Sequence, residues 1–237
     1  MTETELRQKV VSTALAWLGT REYSAKHQEM LDIYNAQRPL PRGTRMLASW
    51  PWCAAFVSTV SLQCGLRDIM PTECGCPGMV RLYQELGRWV EDDAYTPSPG
   101  DVIFYDWQDT GYGDNAGQPD HVGIVTACDG QTMTIIEGNC DNAVKTRSLA
   151  VNARFIRGYG CPDYASRADG AEPTPTPAPT PTPEPEKPAE ATVDPFVTKT
   201  AREVIAGKWG NGQARKDALA AWFTKAVQDE VNRILGG

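Results

Sequence analysis

Apolar residues recur at helical spacing through the first ninety positions and alternate with polar ones beyond them. Leu6, Val10, Thr13, Ala14, Trp17 and Leu18 share one face of an amphipathic helix with acidic residues in its first turn, and Gly19 stops it. A second helix is predicted over 24–36, with Met30, Leu31 and Tyr34 on one side, and Pro39, Pro41 and Gly43 end it. A third starts near Pro51 and runs through CAAFVSTVSLQC to Gly65. The fourth covers about 77–86, where Met79, Leu82, Tyr83 and Leu86 line up. From residue 89 onward the pattern is strand and turn: DVIFYDW at 101–107, HVGIVTAC at 121–128, TMTIIEGN at 132–139 and RFIRGYG at 154–160. Helices followed by strands predict an α+β fold with an antiparallel sheet, not the alternation of a parallel one.

That grammar breaks at EPTPTPAPTPTPEPEKP, residues 172–188, which holds eight prolines. Such a stretch cannot bury a core and favours extended polyproline, spanning about 50 Å at about 3.1 Å per residue. The chain therefore reads as a domain over 1–163, a linker over 164–194 and a small module over 195–237. Charge follows the same division: the tail carries net +3 while the whole 237-residue chain carries −7. A general nucleic-acid binder needs a basic surface, so nucleic acid is not an expected partner. No window is apolar enough for membrane insertion, and the first residues lack the basic start and cleavage site of a secretion signal, which predicts cytoplasmic synthesis. Seven cysteines without paired C-x-x-C spacing, and only two histidines, make a structural zinc site a poor reading; no metal is expected, and reduced, mostly buried thiols are.

Two residues carry candidate chemistry. Cys53 falls in the first turn of the third helix, with Pro51 suited to the first helical position. Unpaired amides and the helix dipole there favour thiolate over thiol. His121 opens a strand after the polar loop DTGYGDNAGQPD, where a base is held rigidly yet within reach, whereas His27 in SAKHQE reads as a surface helix residue. A three-residue hairpin loop over Cys128–Gly130 would set His121 opposite Glu137, with Asn139 diagonal on the same face, and either could orient the imidazole. Asp106, Asp109, Asp114 and Asp120 lie within fifteen residues around the preceding loop. A solvated polar loop is the plain explanation; the sharper one has Asp109 and Asp114 meet an amino group of the substrate.

WCAAFV, PGDVIFYDW, DHVGIV and IIEGN, in that order, resemble the CHAP family of cysteine amidohydrolases and peptidases over residues 8–162. The resemblance implies a papain-like fold and cleavage of peptidoglycan, at the muramoyl–L-alanine amide or within the stem peptide or cross-bridge. It puts Cys53 in the nucleophile's place, His121 in the base's, and Glu137 and Asn139 among the orienting residues; no cofactor is implied. The stretch before Cys53, RPLPRGTRMLASWPW, has no carboxylate, unlike members that bind calcium there. AREVIAGKWGNGQARKDAL followed by AVQDEVNRIL is similar to the Cpl-seven-type cell-wall-binding repeat of phage lysins, which implies a three-helix bundle for the tail. Arg202, Trp209, Gly210 and Arg215 are its candidate ligand contacts, although AAWFTK stands where a longer glycine–tyrosine turn is usual. Together these likenesses imply a phage or prophage endolysin; the rival is a non-catalytic wall-binding or adhesion protein on an inactive hydrolase fold.

Overall fold

The computed structural model of the protein describes residues 1–92, 94–109 and 117–169. The chain divides into two units between Thr174 and Pro175, so all described residues belong to the first. The tail module, with the three-helix bundle expected for it, lies outside them, as do Asp114, Arg202, Trp209, Gly210 and Arg215.

Four helices come first: α1 (Glu3–Leu15), α2 (Ala25–Ala36), α3 (Cys53–Cys64) and α4 (Cys76–Glu85). Thr2 and Glu5 cap α1 reciprocally, each side chain taking the other's backbone N–H, which satisfies two amides that the helix leaves open. Ser24 caps α2 by accepting from the His27 amide. α3 is apolar almost all round and is the core helix, packed against α1, α2 and the sheet. It starts at Cys53, two residues later than the proline suggested: Pro51 precedes the N-cap Trp52, and Cys53 is itself the first helical residue.

The strands are β1 (Trp89–Val90), β2 (Val102–Tyr105), β3 (His121–Cys128), β4 (Thr132–Cys140), β5 (Ala143–Ala150) and β6 (Ile156–Gly160). Among the described residues they make one sheet in the order β1-β6-β2-β3-β4-β5, every neighbouring pair antiparallel. The α+β order is as expected; β1 and β5 are additions. One sheet face, with Val102, Phe104, Val122, Ile124, Ile136 and Val144, packs under the helices. The other gathers Ile103, Tyr105, Val125, Met133, Ile135 and Tyr159 with Trp107 and Leu149 at its margin.

The β3–β4 hairpin departs from the expected register. Cys128 faces Met133, so the turn has four residues, closed by Asp129, whose side chain accepts from the Gln131 and Thr132 amides. That one-residue change alone would send Glu137 to the opposite face. A bulge between Val125 and Ala127 restores the parity, and Glu137 ends opposite Gly123, diagonal to His121. Two motif glycines make room for this. A side chain at Gly123 would collide with Ile135 and Glu137, and one at Gly138 with Phe56 and Trp52 of the α3 start. The close approach at Gly138 brings the first turn of α3 against β4.

The segment after β6 belongs to this unit. Tyr164 is fully buried, its hydroxyl donates to the Gly100 carbonyl at 2.7 Å, and the Arg7 guanidinium lies over its ring. The composition-based boundary at 163 thus falls just before a core residue.

Candidate active site

The start of α3, the start of β3 and the end of β4 converge. Trp52 offers no capping side chain, and the Ala54 backbone amide donates to the Cys53 sulfur. His121 is nearly buried, its ring stacked against Tyr105 at 5.7 Å and tilted toward Trp107. Its Nε2 lies 3.2 Å from Glu137 Oε2. Glu137 has no exposed surface at all, and Arg147 of β5 clasps it from the other side, Nε to Oε1 at 2.8 Å and Nη2 to Oε2 at 3.0 Å. The Arg147 guanidinium also lies over the Trp107 ring.

The charges follow from these contacts. A hydrogen bond from the Cys76 thiol, 3.7 Å away, outweighs burial and, with His121, brings the Cys53 thiol down to about 5. Burial works against a charged His121, but its hydrogen bonds to Cys53 and Glu137 raise it to about 9. Burial would raise Glu137 as well; His121 and Arg147 overcome it and hold the carboxyl at about 2. A thiolate–imidazolium pair backed by a carboxylate–guanidinium pair is the stable charge state near neutrality. Nε2 is taken by Glu137, which leaves Nδ1 as the ring nitrogen for the sulfur.

Of the residues singled out from sequence, Cys53, His121 and Glu137 come together. The Asn139 backbone is left-handed at φ 59°, where the β4–β5 register shifts. It is half-buried and lines a recess of about 190 Å3 with Glu22, Ser49, Trp50, Pro51 and Asn142. Asp109 pairs with Arg154 at 3.6 Å, its side chain only 10% exposed, so its charge is already matched within the fold. Asp106 is buried and accepts from the Gln108 amide, while Asp120 is exposed and accepts from the Trp107 amide.

His27 is not a surface residue. It is fully buried, its Nδ1 accepts from the Tyr23 amide at 3.1 Å, and its ring lies 4.6 Å from that of Trp52. The capping turn at Ser24 rolls the polar-looking SAKHQE segment inward at this one position. His27→Ala should therefore open a cavity under the N-cap of α3 and cost about 2–4 kcal/mol. A thermal melt should show the midpoint about 5–10 °C lower, with the remaining folded protein active at low temperature. An unchanged midpoint would mean that the ring supports nothing.

Sequence reading missed Arg147 and Cys76. Arg147 lies on the unrecognised strand β5, where the alternation AVKTRSLA was the available signal. Cys76 had none, since its nearness to Cys53 arises only when α4 docks. The seven cysteines are all free thiols; Cys53, Cys64 and Cys76 are buried and the other four half-buried. Among the described residues, no group of three or more His, Cys, Asp or Glu converges as a metal site would require, and no helix is long and apolar enough to cross a membrane.

Comparison with known families places these elements. Residues 45–139 match the CHAP domain, spanning Cys53, His121 and Glu137, and residues 199–235 match the CW_7 repeat. Comparison with curated proteins and with solved structures gives no significant match. The chain thus carries a CHAP domain and, toward its C-terminal end, a CW_7 repeat, the pairing of a peptidoglycan hydrolase with a cell-wall-binding module.

Proposed function

We propose that the chain hydrolyses an amide bond of peptidoglycan by cysteine chemistry, as the lytic enzyme of a phage or prophage. The observation that carries this reading is the buried His121–Glu137 contact beside a thiol at a helix start. The Cys53 thiolate attacks the amide carbonyl. His121 gives its proton to the leaving amine and then takes one from the water that hydrolyses the acyl-enzyme. Glu137 holds the ring in place and balances its charge, and Arg147 fixes Glu137. The Cys53 backbone amide, open at the first helical position, suits the developing oxyanion. Asn139 shares a recess with Trp50 and Pro51, which lie just before the helix that Cys53 starts.

Mass spectrometry of digested cell walls tests this directly. Exposed L-alanine amino termini would identify a muramoyl–L-alanine amidase, and termini within the stem or cross-bridge an endopeptidase. Walls left undigested would return the chain to a pure binder.

The basic tail serves as an anchor, tethered so that its effective concentration at the wall is high. Truncation is best placed after Asp169, because Tyr164 is a core residue. The shortened enzyme should cleave soluble muropeptides at nearly the full rate but lyse whole walls at least about tenfold more slowly. Equal lysis by both forms, with a tail that fails to sediment with walls, would remove the anchor role.

A further inference from the structure

Beside Cys53 sits a second thiol that hydrolysis does not consume. The sulfurs of Cys53 and Cys76 are 3.7 Å apart, and the two residues are 5% and 4% exposed. Each is the first residue of its helix, α3 and α4 respectively, so the two helix starts meet at this pair. Neighbouring thiols are engaged otherwise. Cys74 Sγ lies 3.0 Å from Arg42 Nη2, Cys64 Sγ lies 3.4 Å from Thr13 Oγ1, and Cys140 Sγ lies 3.4 Å from Arg147 Nη2.

We propose that Cys53 and Cys76 form a nucleophile–resolving pair: a hydroperoxide closes them into a disulfide that switches the enzyme off, and a thiol reductant reopens it. The proposal rests on Cys53 being the nucleophile. It gains support from the division of protons, since Cys53 is the acidic member and Cys76, buried against it, is held as the thiol.

The chemistry balances. The Cys53 thiolate attacks one peroxide oxygen; an S–O bond forms, the O–O bond breaks, and the departing oxygen takes a proton and leaves as water from hydrogen peroxide or as an alcohol from an alkyl hydroperoxide. Cys76 then gives up its proton and attacks the Cys53 sulfur. The S–S bond forms as the S–O bond breaks, and water leaves. Two thiols lose two electrons in all, and one hydroperoxide gains them. The sulfurs must close to about 2.0 Å. Gly75, the N-cap of α4, directly precedes Cys76 in an extended backbone, and adjustment of that first turn supplies the approach. Once the bond forms, no thiolate remains to attack an amide.

The full chain should be treated with a few equivalents of hydrogen peroxide and digested without reduction. Expected is a peptide pair joined through Cys53 and Cys76, two hydrogens lighter than its parts. Wall lysis should fall at least about tenfold and return with dithiothreitol. In Cys76→Ser the peroxide loss should persist after dithiothreitol, because an unresolved sulfenic acid proceeds to the sulfinic acid. No joined peptide, a link from Cys53 to Cys74 instead, or wild-type inactivation that dithiothreitol fails to reverse would overturn the pair. The joined peptide is read by mass, so a chain that lyses no walls would defeat the hydrolase reading while the thiol pairing is still decided.

Discussion

Cys53→Ala and His121→Ala should each slow wall lysis at least about a thousandfold while keeping a folded circular-dichroism spectrum. The expectation follows from the thiolate–imidazolium pair, in which neither partner has a replacement: the other histidine, His27, is buried under Trp52 and engaged with the Tyr23 amide. The same pair sets the pH profile. With Cys53 near 5 and His121 near 9, kcat/KM should rise through about pH 5 and fall through about pH 9. The alkylation rate of Cys53 by iodoacetamide should share the acid limb. Rapid lysis by either alanine variant, or alkylation that begins only near the pH of an ordinary thiol, would overturn the assignment.

Arg147→Met should cost the fold about 3 kcal/mol of stability. Glu137 has no exposed surface, and without the guanidinium its carboxylate keeps, among the described residues, only His121 as a charged partner. Breaking a buried pair by removing one member costs about 3 kcal/mol, the lower end applying because Arg147 itself is one-third open to water. Denaturant melts at two pH values check the sign. Glu137 is depressed from 4.5 to about 2, so its contribution is complete above about 4.5 and is lost as pH falls toward 2. His121 is raised from 6.5 to about 9, so its contribution is complete below 6.5 and is lost as pH rises through 9. Wild type should therefore be most stable between about pH 4.5 and 6.5 from these two groups. In Arg147→Met the acid-side loss should be smaller and end at higher pH, because its onset is set by the unfolded value near 4.5 while folded Glu137 then titrates closer to that value. A variant as stable as wild type, with the same acid limb, would show that Arg147 does not hold Glu137.

Several parts of this protein were legible in the residues themselves. Helical spacing located α2, α3 and α4 to within two residues, while α1 ends at Leu15, about three residues before the stop that Gly19 suggested. The order of helices before strands, the proline-rich break and the motifs around Cys53 and His121 are local in sequence, and the matches to a CHAP domain and a CW_7 repeat lie where those motifs stand.

What the tertiary structure decided was every contact between distant segments. Glu137 faces His121 through a four-residue turn offset by a bulge, two opposite deviations that cancel in face but move the register by two residues. Turn length and bulge position depend on packing across the sheet, which no single strand encodes. Arg147 reaches Glu137 because β5 pairs with β4, and β5 is a half-exposed edge strand whose apolar signal is weak. His27 reads as polar surface because its neighbours are polar, yet the ring is drawn under Trp52 by the way α2 lies on α3. Cys76 meets Cys53 because two helices begin at one point. Local pattern determined which residues could react, and long-range docking determined which of them touch, since the free energy of those contacts belongs to surfaces that exist only after the chain has folded.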